Sequence, residues 1–512
     1  KLLTSGDPYE APEAPESFRW FKHWYPVHVA EYLDPTRPHP LKLFGCNLVL
    51  WKDGDGKWQC FEDACPHRLA PLSEGRVEED GQLLCAYHGW KFGSAGECKA
   101  IPQSEKPVSE WTAKQQEACA VASYPTKEAV GLIWVWPETG AEARKEAEAT
   151  SMRGFSALFD EEGVARGDIV RTAWSLRDLP YGWDYFIENV TDPAHVPVSH
   201  HNVVGNRYKD PRFFKLLPVR EMSAQEGMEY SSDRQLVPSA DPVTSSSTDF
   251  QPPCLVRIRS DYQSQTQTNL CLFAVPTTPG RCRYIGCQVL VKNKEGELPK
   301  GLAFFSMPMP KFLFHILAPL FLHQDQVFLH HQERIVNHRS QVAGVRGEKL
   351  YTTPTPADTM VLMFRRWFAK HAGGTVPWVP GTDTTLQTNA DPVELYDTYN
   401  AHTKHCRICQ GALKGVELWQ KITSVAAVVA AVGAVTAYAA MCASKSAVAA
   451  AAAAALRKGS AAALAAVPTL YAPSPGVYAL LALALLFLAA NVMLGKLKPL
   501  FFKYEFSHAD NH

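Results

Sequence analysis

The chain has almost no net charge and no long basic run: 51 Lys and Arg stand against 52 Asp and Glu over 512 residues. That excludes a global field for nucleic acid. No Gly-x-Gly-x-x-Gly follows a strand pattern and no flavin signature is present, so nothing marks a nicotinamide or flavin site. No internal repeat stands out. There is neither an initial Met nor an N-terminal signal. The Pro/Glu-rich opening "KLLTSGDPYEAPEAPESF" is expected to follow a removed targeting segment. Cysteine is not scarce, but its 13 copies are an odd number, scattered through a chain with ample apolar residues. A disulfide framework is therefore disfavoured, and a reducing compartment with metal and redox sites is expected.

What is present begins with "CPHRLAPLSEGRVEEDGQLLCAYHGW", Cys65 to Trp90. It holds the mixed pairs Cys65-x-His67 and Cys85-x-x-His88, with Pro66 and Gly89 where tight loops need them. Zinc fingers usually pair like with like, whereas mixed pairs suit a [2Fe–2S] cluster in which each loop gives one ligand to each iron. The cluster reading is preferred over structural zinc.

A second constellation, Asn189-x-x-Asp192-x-x-His195-x4-His200, lies in "YFIENVTDPAHVPVSHHN". Two histidines and one carboxylate form the facial set that binds non-haem Fe(II) and leaves positions open for O2. His201 is a competing ligand. The carboxylate has to come from later in the chain, and "LFLHQDQVFLHHQERIV" offers Asp325 and Glu333. Asp325 is preferred, because a lone acid in an apolar helical run is costly unless paired or metal-bound.

The length suggests two or three domains. Short β-runs and turns to about residue 150 predict a first domain, including the hairpin "LKLFGCNLVLWKDGDGKWQCFEDAC" and the strand "VGLIWVW". The charged "PETGAEARKEAEATSM" reads as a linker or short exposed helix. Residues 151–400 mix strands with helical runs around Asp184–Glu188 and Leu317–Val336, a β-rich α+β domain. Residues 401–512 hold Cys406-x-x-Cys409 and two uncharged stretches, Ile422–Ala443 and Gly476–Leu494, each about the ~20 residues that span a bilayer. A membrane hairpin is preferred over buried core helices. Lys414, Lys421, Lys496 and Lys498 flank its outer ends, which places both ends on one face.

With "HWYPV", "CPHRLAPLSEG", "CAYHGWKF", "ENVTDPAHVPVSHH", "FRRWF" and "HCRIC", nearly the whole chain resembles Rieske-type oxygenases. Within them it resembles the chloroplast branch that contains pheophorbide a oxygenase, a protochlorophyllide-dependent oxygenase and the Rieske protein of the inner-envelope import translocon. The resemblance implies an α+β fold: a β-rich Rieske domain, then a helix-grip-like catalytic domain. It implies a [2Fe–2S] cluster on Cys65, His67, Cys85 and His88, and a mononuclear Fe(II). Asp192 becomes an electron bridge between His195 and a cluster histidine, His88, of a neighbouring subunit, in a head-to-tail homotrimer. Asn189 is placed beside it among the catalytic residues. Reduced ferredoxin is the implied donor, O2 and a chlorophyll-type tetrapyrrole the substrates, and a thylakoid or inner-envelope membrane the location, with soluble domains facing the stroma.

Pheophorbide a is the preferred substrate. Methyl-group oxidation of protochlorophyllide or chlorophyllide and hydroxylation of a phyllobilin are the alternatives. A membrane-tethered redox sensor at the translocon is the rival of another class. Cys406 and Cys409 read as a thiol switch reducible by thioredoxin, as a zinc site with His402 and His405, or as a buried structural pair; the switch is preferred.

Overall fold

The computed structural model describes residues 17–233, 241–300, 302, 309–317, 319–386, 392–457 and 473–508. The Pro/Glu-rich opening, apart from its last two residues, and the segment between the two tail helices lie outside them. Packing divides the chain into two units, Lys1–Arg407 with Tyr504–His512, and Ile408–Lys503.

The first unit opens with short strands. Cys46–Lys52 and Trp58–Glu62 pair antiparallel, with Val49 opposite Phe61, as apolar runs on either side of an Asp-Gly-Asp-Gly turn should. Asp53 closes that turn by accepting from the amides of Asp55 (3.1 Å) and Lys57 (2.9 Å). His39–Leu43 and Ser123–Tyr124 extend this sheet to four strands. A second four-stranded sheet is built from Arg76–Val77, Leu83–Leu84, Lys91–Phe92 and Cys98–Ala100. The two sheets bury one core, in which Val49, Trp51, Phe61, Leu72, Leu83 and Phe92 are wholly enclosed. Each such side chain contributes roughly 1.5–3 kcal/mol by leaving water.

The charged stretch read as a linker or exposed helix is a docked helix, Ala141–Ala149, with Ala143 and Ala147 buried. Alanines four apart share one face and admit close approach. Trp24 Nε1 donates to the Ala147 carbonyl at 3.0 Å, and Lys22 bridges Glu138 (2.7 Å) and Glu146 (2.5 Å).

The larger part of the unit is an eight-stranded sheet. Its main path runs Ile169–Arg171, Arg281–Val291, Gln267–Thr278, Leu255–Tyr262, Val243–Gln251, Gly227–Ser232, Leu216–Ser223, all antiparallel, and Ser175–Leu179 pairs beside Arg281–Val291. Helix Trp183–Val190 lies on this sheet through Phe186 against Tyr284 (ring centroids 5.6 Å) and Trp183 against Phe250 (6.4 Å). The helical run expected over Leu317–Val336 is Lys311–Leu317 followed by the longer Pro319–Ala343. Helix Thr359–His371 turns Phe364 and Phe368 onto Trp183, at 5.7 and 5.6 Å.

The second unit pairs helix Arg407–Leu456 with helix Pro475–Leu497. Pro475 stands at the first helical position, where its missing N–H is no loss. Asn491 donates to the Gln420 carbonyl (2.7 Å), Thr423 Oγ1 (3.0 Å) and Ser424 Oγ (2.9 Å), and Lys498 meets Glu417 at 2.9 Å. Much of the remaining surface is apolar, with Val425, Val428, Val432, Leu485 and Leu486 exposed.

Candidate metal centres

The first donor set sits on two loops of matching geometry. In one, the Leu69 amide donates to the Cys65 carbonyl (2.8 Å) and the Cys65 amide to the Ala70 carbonyl (2.8 Å). In the other, the Gly89 amide donates to Cys85 (3.0 Å) and the Cys85 amide to Trp90 (2.9 Å). Four residues after each cysteine the backbone is left-handed: φ is 57° at Leu69 and 75° at Gly89. Glycine carries that conformation without penalty, whereas leucine is strained. Asp63 braces the first loop by accepting from the Ser73 amide and hydroxyl, both at 2.7 Å.

Cys65 and Cys85 are buried while the imidazoles reach the surface. His67 and His88 lie 4.5 Å apart between ring centroids, and His67 stacks on Trp90 at 4.7 Å. Burial, with Cys85 alongside, pushes the Cys65 thiol up to about 12, so a thiolate there needs a cation to hold it. Buried sulfurs on one side and exposed nitrogens on the other fit a cluster with one iron inside and one at the surface. The histidine rim is flanked by Leu69, 75% exposed, and Tyr87, 57% exposed.

The second set converges from two helices and the turn between them and the sheet. Helix Trp183–Val190 ends in the turn that carries Asp192, His195 begins the short helix Val196–Ser199, and His200 ends it. Asp325 comes from Pro319–Ala343. The donor atoms of His195, His200 and Asp325 all lie within 4.8 Å of one another. His200 Nε2 is 3.2 Å and His195 Nε2 3.5 Å from Asp325 Oδ2. His200 is completely buried.

Neighbours fix each donor. His200 Nδ1 is 2.8 Å from Gln324 Oε1; donating its proton there leaves the Nε2 lone pair facing Asp325. Asp325 accepts from Ser199 Oγ on Oδ1 (2.5 Å) and from Asn189 Nδ2 on Oδ2 (3.0 Å). His195 Nδ1 lies 3.5 Å from Asp192 Oδ2, and Asp192 Oδ1 accepts from the Ala194 amide at 2.8 Å. Burial opposes a charge on His195, yet the Asp192 and Asp325 carboxylates outweigh it and carry its pKa to about 10. The same histidines hold the Asp325 carboxyl well below the usual range against its own burial. A site that stabilises a cation between two imidazoles and a buried carboxylate fits a divalent metal.

The expected competitors are elsewhere. His201 Nδ1 accepts from the Arg207 amide at 3.1 Å. Glu333 accepts from the Gly182 amide at 3.1 Å, and burial raises its pKa to about 8. Gln324 and Ser199 carry no sequence signal of their own beyond standing next to a predicted ligand.

Two loops of cysteine and histidine before a sheet-and-helix body with a two-His, one-carboxylate set define a Rieske-type non-haem iron oxygenase. Residues 23–125 match the Rieske [2Fe–2S] domain family and residues 250–343 the pheophorbide a oxygenase family. Pheophorbide a oxygenase of Arabidopsis thaliana is 33% identical over 441 residues, covering 82% of this chain and 78% of that protein. The chain belongs to the pheophorbide a oxygenase family. Protochlorophyllide-dependent translocon component 52 of the same plant is 29% identical over 456 residues, 80% of this chain and 76% of that one. In fold, dicamba monooxygenase bound to dicamba superposes with a TM-score of 0.53 at 18% identity, over 68% of this chain and 96% of that chain.

Proposed function

We propose that this oxygenase inserts oxygen from O2 into a chlorophyll-derived tetrapyrrole, pheophorbide a before protochlorophyllide, with electrons from reduced ferredoxin. Cys65, His67, Cys85 and His88 hold its [2Fe–2S] cluster, and His195, His200 and Asp325 its mononuclear iron. When bound, the cluster supplies single electrons and the iron supplies O2 activation. The chain's own residues do the positioning. Gln324 sets the His200 tautomer, Ser199 and Asn189 hold both Asp325 oxygens, and Asp192 fixes His195 from its far nitrogen. The Asp192 side chain is about a quarter exposed (27%), so the carboxylate that touches His195 also has an outward side. That supports Asp192 as a bridge to His88 of a neighbouring subunit in a homotrimer.

Domain limits of 1–150, 151–400 and 401–512 accompany this reading. Three helical stretches among the described residues are long and apolar enough to cross a membrane. Lys311–Ala343 is 44% buried in its apolar window and carries Asp325, so it belongs to the body. Arg407–Ala451 and Pro475–Phe501 are only 11% and 6% buried and form the hairpin, which in a chloroplast inner envelope or thylakoid holds the enzyme near an apolar pigment.

The observation that carries the reading is the convergence of His195, His200 and Asp325, with Gln324, Ser199, Asn189 and Asp192 placed against them. The test is aerobic turnover of pheophorbide a, chlorophyllide, protochlorophyllide and phyllobilins with ferredoxin and its reductase, products read by mass spectrometry. Pheophorbide a is expected to be consumed first. Preference for protochlorophyllide moves the substrate but keeps the enzyme. If no tetrapyrrole reacts with both centres loaded, a membrane-tethered redox sensor at the translocon replaces the oxygenase reading.

A further inference from the structure

A third donor cluster lies apart from both centres, and the function above makes no use of it. His315, on helix Lys311–Leu317, meets His402 and Cys406 from the segment that precedes helix Arg407–Leu456. His315 Nδ1 is 3.2 Å from His402 Nε2 and 3.6 Å from Cys406 Sγ. The donor atoms of these residues all lie within 4.8 Å of one another. His315 is 2%, His402 3% and Cys406 1% exposed. The two imidazoles stand nearly perpendicular, 88° between planes at 4.9 Å, and the Tyr32 ring closes over His315 at 4.5 Å.

Two imidazoles and a thiol brought together from positions 87 to 91 residues apart in sequence are an unusual group for a core to enclose, because burying polar groups is costly unless they bond or bind a metal. The fourth donor follows from the sequence: Cys409 completes a Cys-x-x-Cys pair with Cys406, the spacing at which zinc sites take two thiolates from one loop. Two nitrogens and two sulfurs without a carboxylate select zinc over magnesium, calcium or manganese. Four protein donors also leave no open position, the mark of a structural rather than a catalytic ion.

We propose that His315, His402, Cys406 and Cys409 bind one structural zinc ion. It pins helix Lys311–Leu317, directly ahead of the helix that bears Asp325, to the segment entering the tail. His405, the nearer histidine in sequence, is not among the donors. The proposal stands independently of the oxygenase reading.

The test is metal analysis and zinc-edge X-ray absorption on the full-length chain, purified in detergent with zinc in the growth medium and no chelator. One zinc per chain is expected beyond the iron, with sulfur neighbours at about 2.3 Å and nitrogen at about 2.0 Å. His315→Ala and Cys406→Ser should each lose it, while Cys119→Ser, at a half-exposed thiol outside the cluster, should keep it. If those variants do not fold, the wild-type spectrum decides alone: zinc with no sulfur neighbour overturns the proposal. So does zinc retained in both variants, or zinc-free protein whose Cys406 and Cys409 form a disulfide on mild oxidation. That last result returns the pair to a thiol switch.

Discussion

At the scale of single residues, the proposed iron site rests on hydrogen bonds that leave one donor atom of each of His195, His200 and Asp325 facing inward. Asp325→Ala should abolish mononuclear iron and turnover while the rhombic EPR signal of the reduced cluster stays unchanged. Iron and activity that survive in this variant would refute Asp325 as a ligand. Gln324→Leu keeps all three donors but removes the partner of His200 Nδ1; lost outer-sphere partners typically cost about 10–100-fold in metal affinity, measurable by iron titration. The donors themselves were readable in the sequence because ligand chemistry leaves a pattern of spacing. Their partners were not. Gln324 and Ser199 become meaningful only once helix Pro319–Ala343 is laid against His200, and no local pattern encodes that contact. His315 lies in "KFLFHIL", an apolar run where a histidine reads as core, and only the fold brings it to His402.

At the scale of elements, helix Trp183–Val190 is held from behind by one buried cation. Arg365 on Thr359–His371 pairs with Asp184 at 2.5 Å and with Glu188, which also accepts from Tyr351 at 3.3 Å. Burial already holds the Glu188 carboxyl above the usual carboxylate range despite that arginine. Arg365→Met should destabilise the protein by about 3–5 kcal/mol, because an unpaired buried charge remains. The sign of the pH effect follows: a carboxyl with a raised folded pKa binds its proton more tightly folded than unfolded, so stability is lost as pH rises. Denaturation of the variant should therefore show a larger deficit at pH 8 than at pH 5. The strands and both tail helices were legible because alternation and long apolar runs are one-dimensional signals. The docking of Ala141–Ala149 was not, since two alanines among charges look solvent-exposed until Trp24 is set against them.

At the scale of the molecule, the chain's last residues return to its body. The Tyr504 amide donates to the Tyr396 carbonyl at 3.2 Å, and His508 Nε2 lies 2.6 Å from the Gln324 carbonyl, next to Asp325. Truncation near Glu417 therefore removes a contact on the helix that carries Asp325, the proposed iron ligand, as well as the two tail helices. A chain in which a flexible Gly/Ser linker replaces the hairpin and keeps Tyr504–His508 should be soluble and retain more iron than the truncation, by metal analysis. Asp192→Asn should keep both metals and slow electron exchange between them, seen as delayed loss of the reduced cluster's EPR signal when O2 and substrate are added. The most direct measurement of the central claim is a single turnover. Full-length protein with its cluster pre-reduced and both centres loaded is mixed with pheophorbide a and 18O2, and product and cluster are followed together. Wild type should yield a product carrying 18O as the cluster signal disappears, and His195→Ala neither change, its reduced cluster persisting. An unlabelled or absent product in wild type, or labelled product in His195→Ala, would contradict that claim.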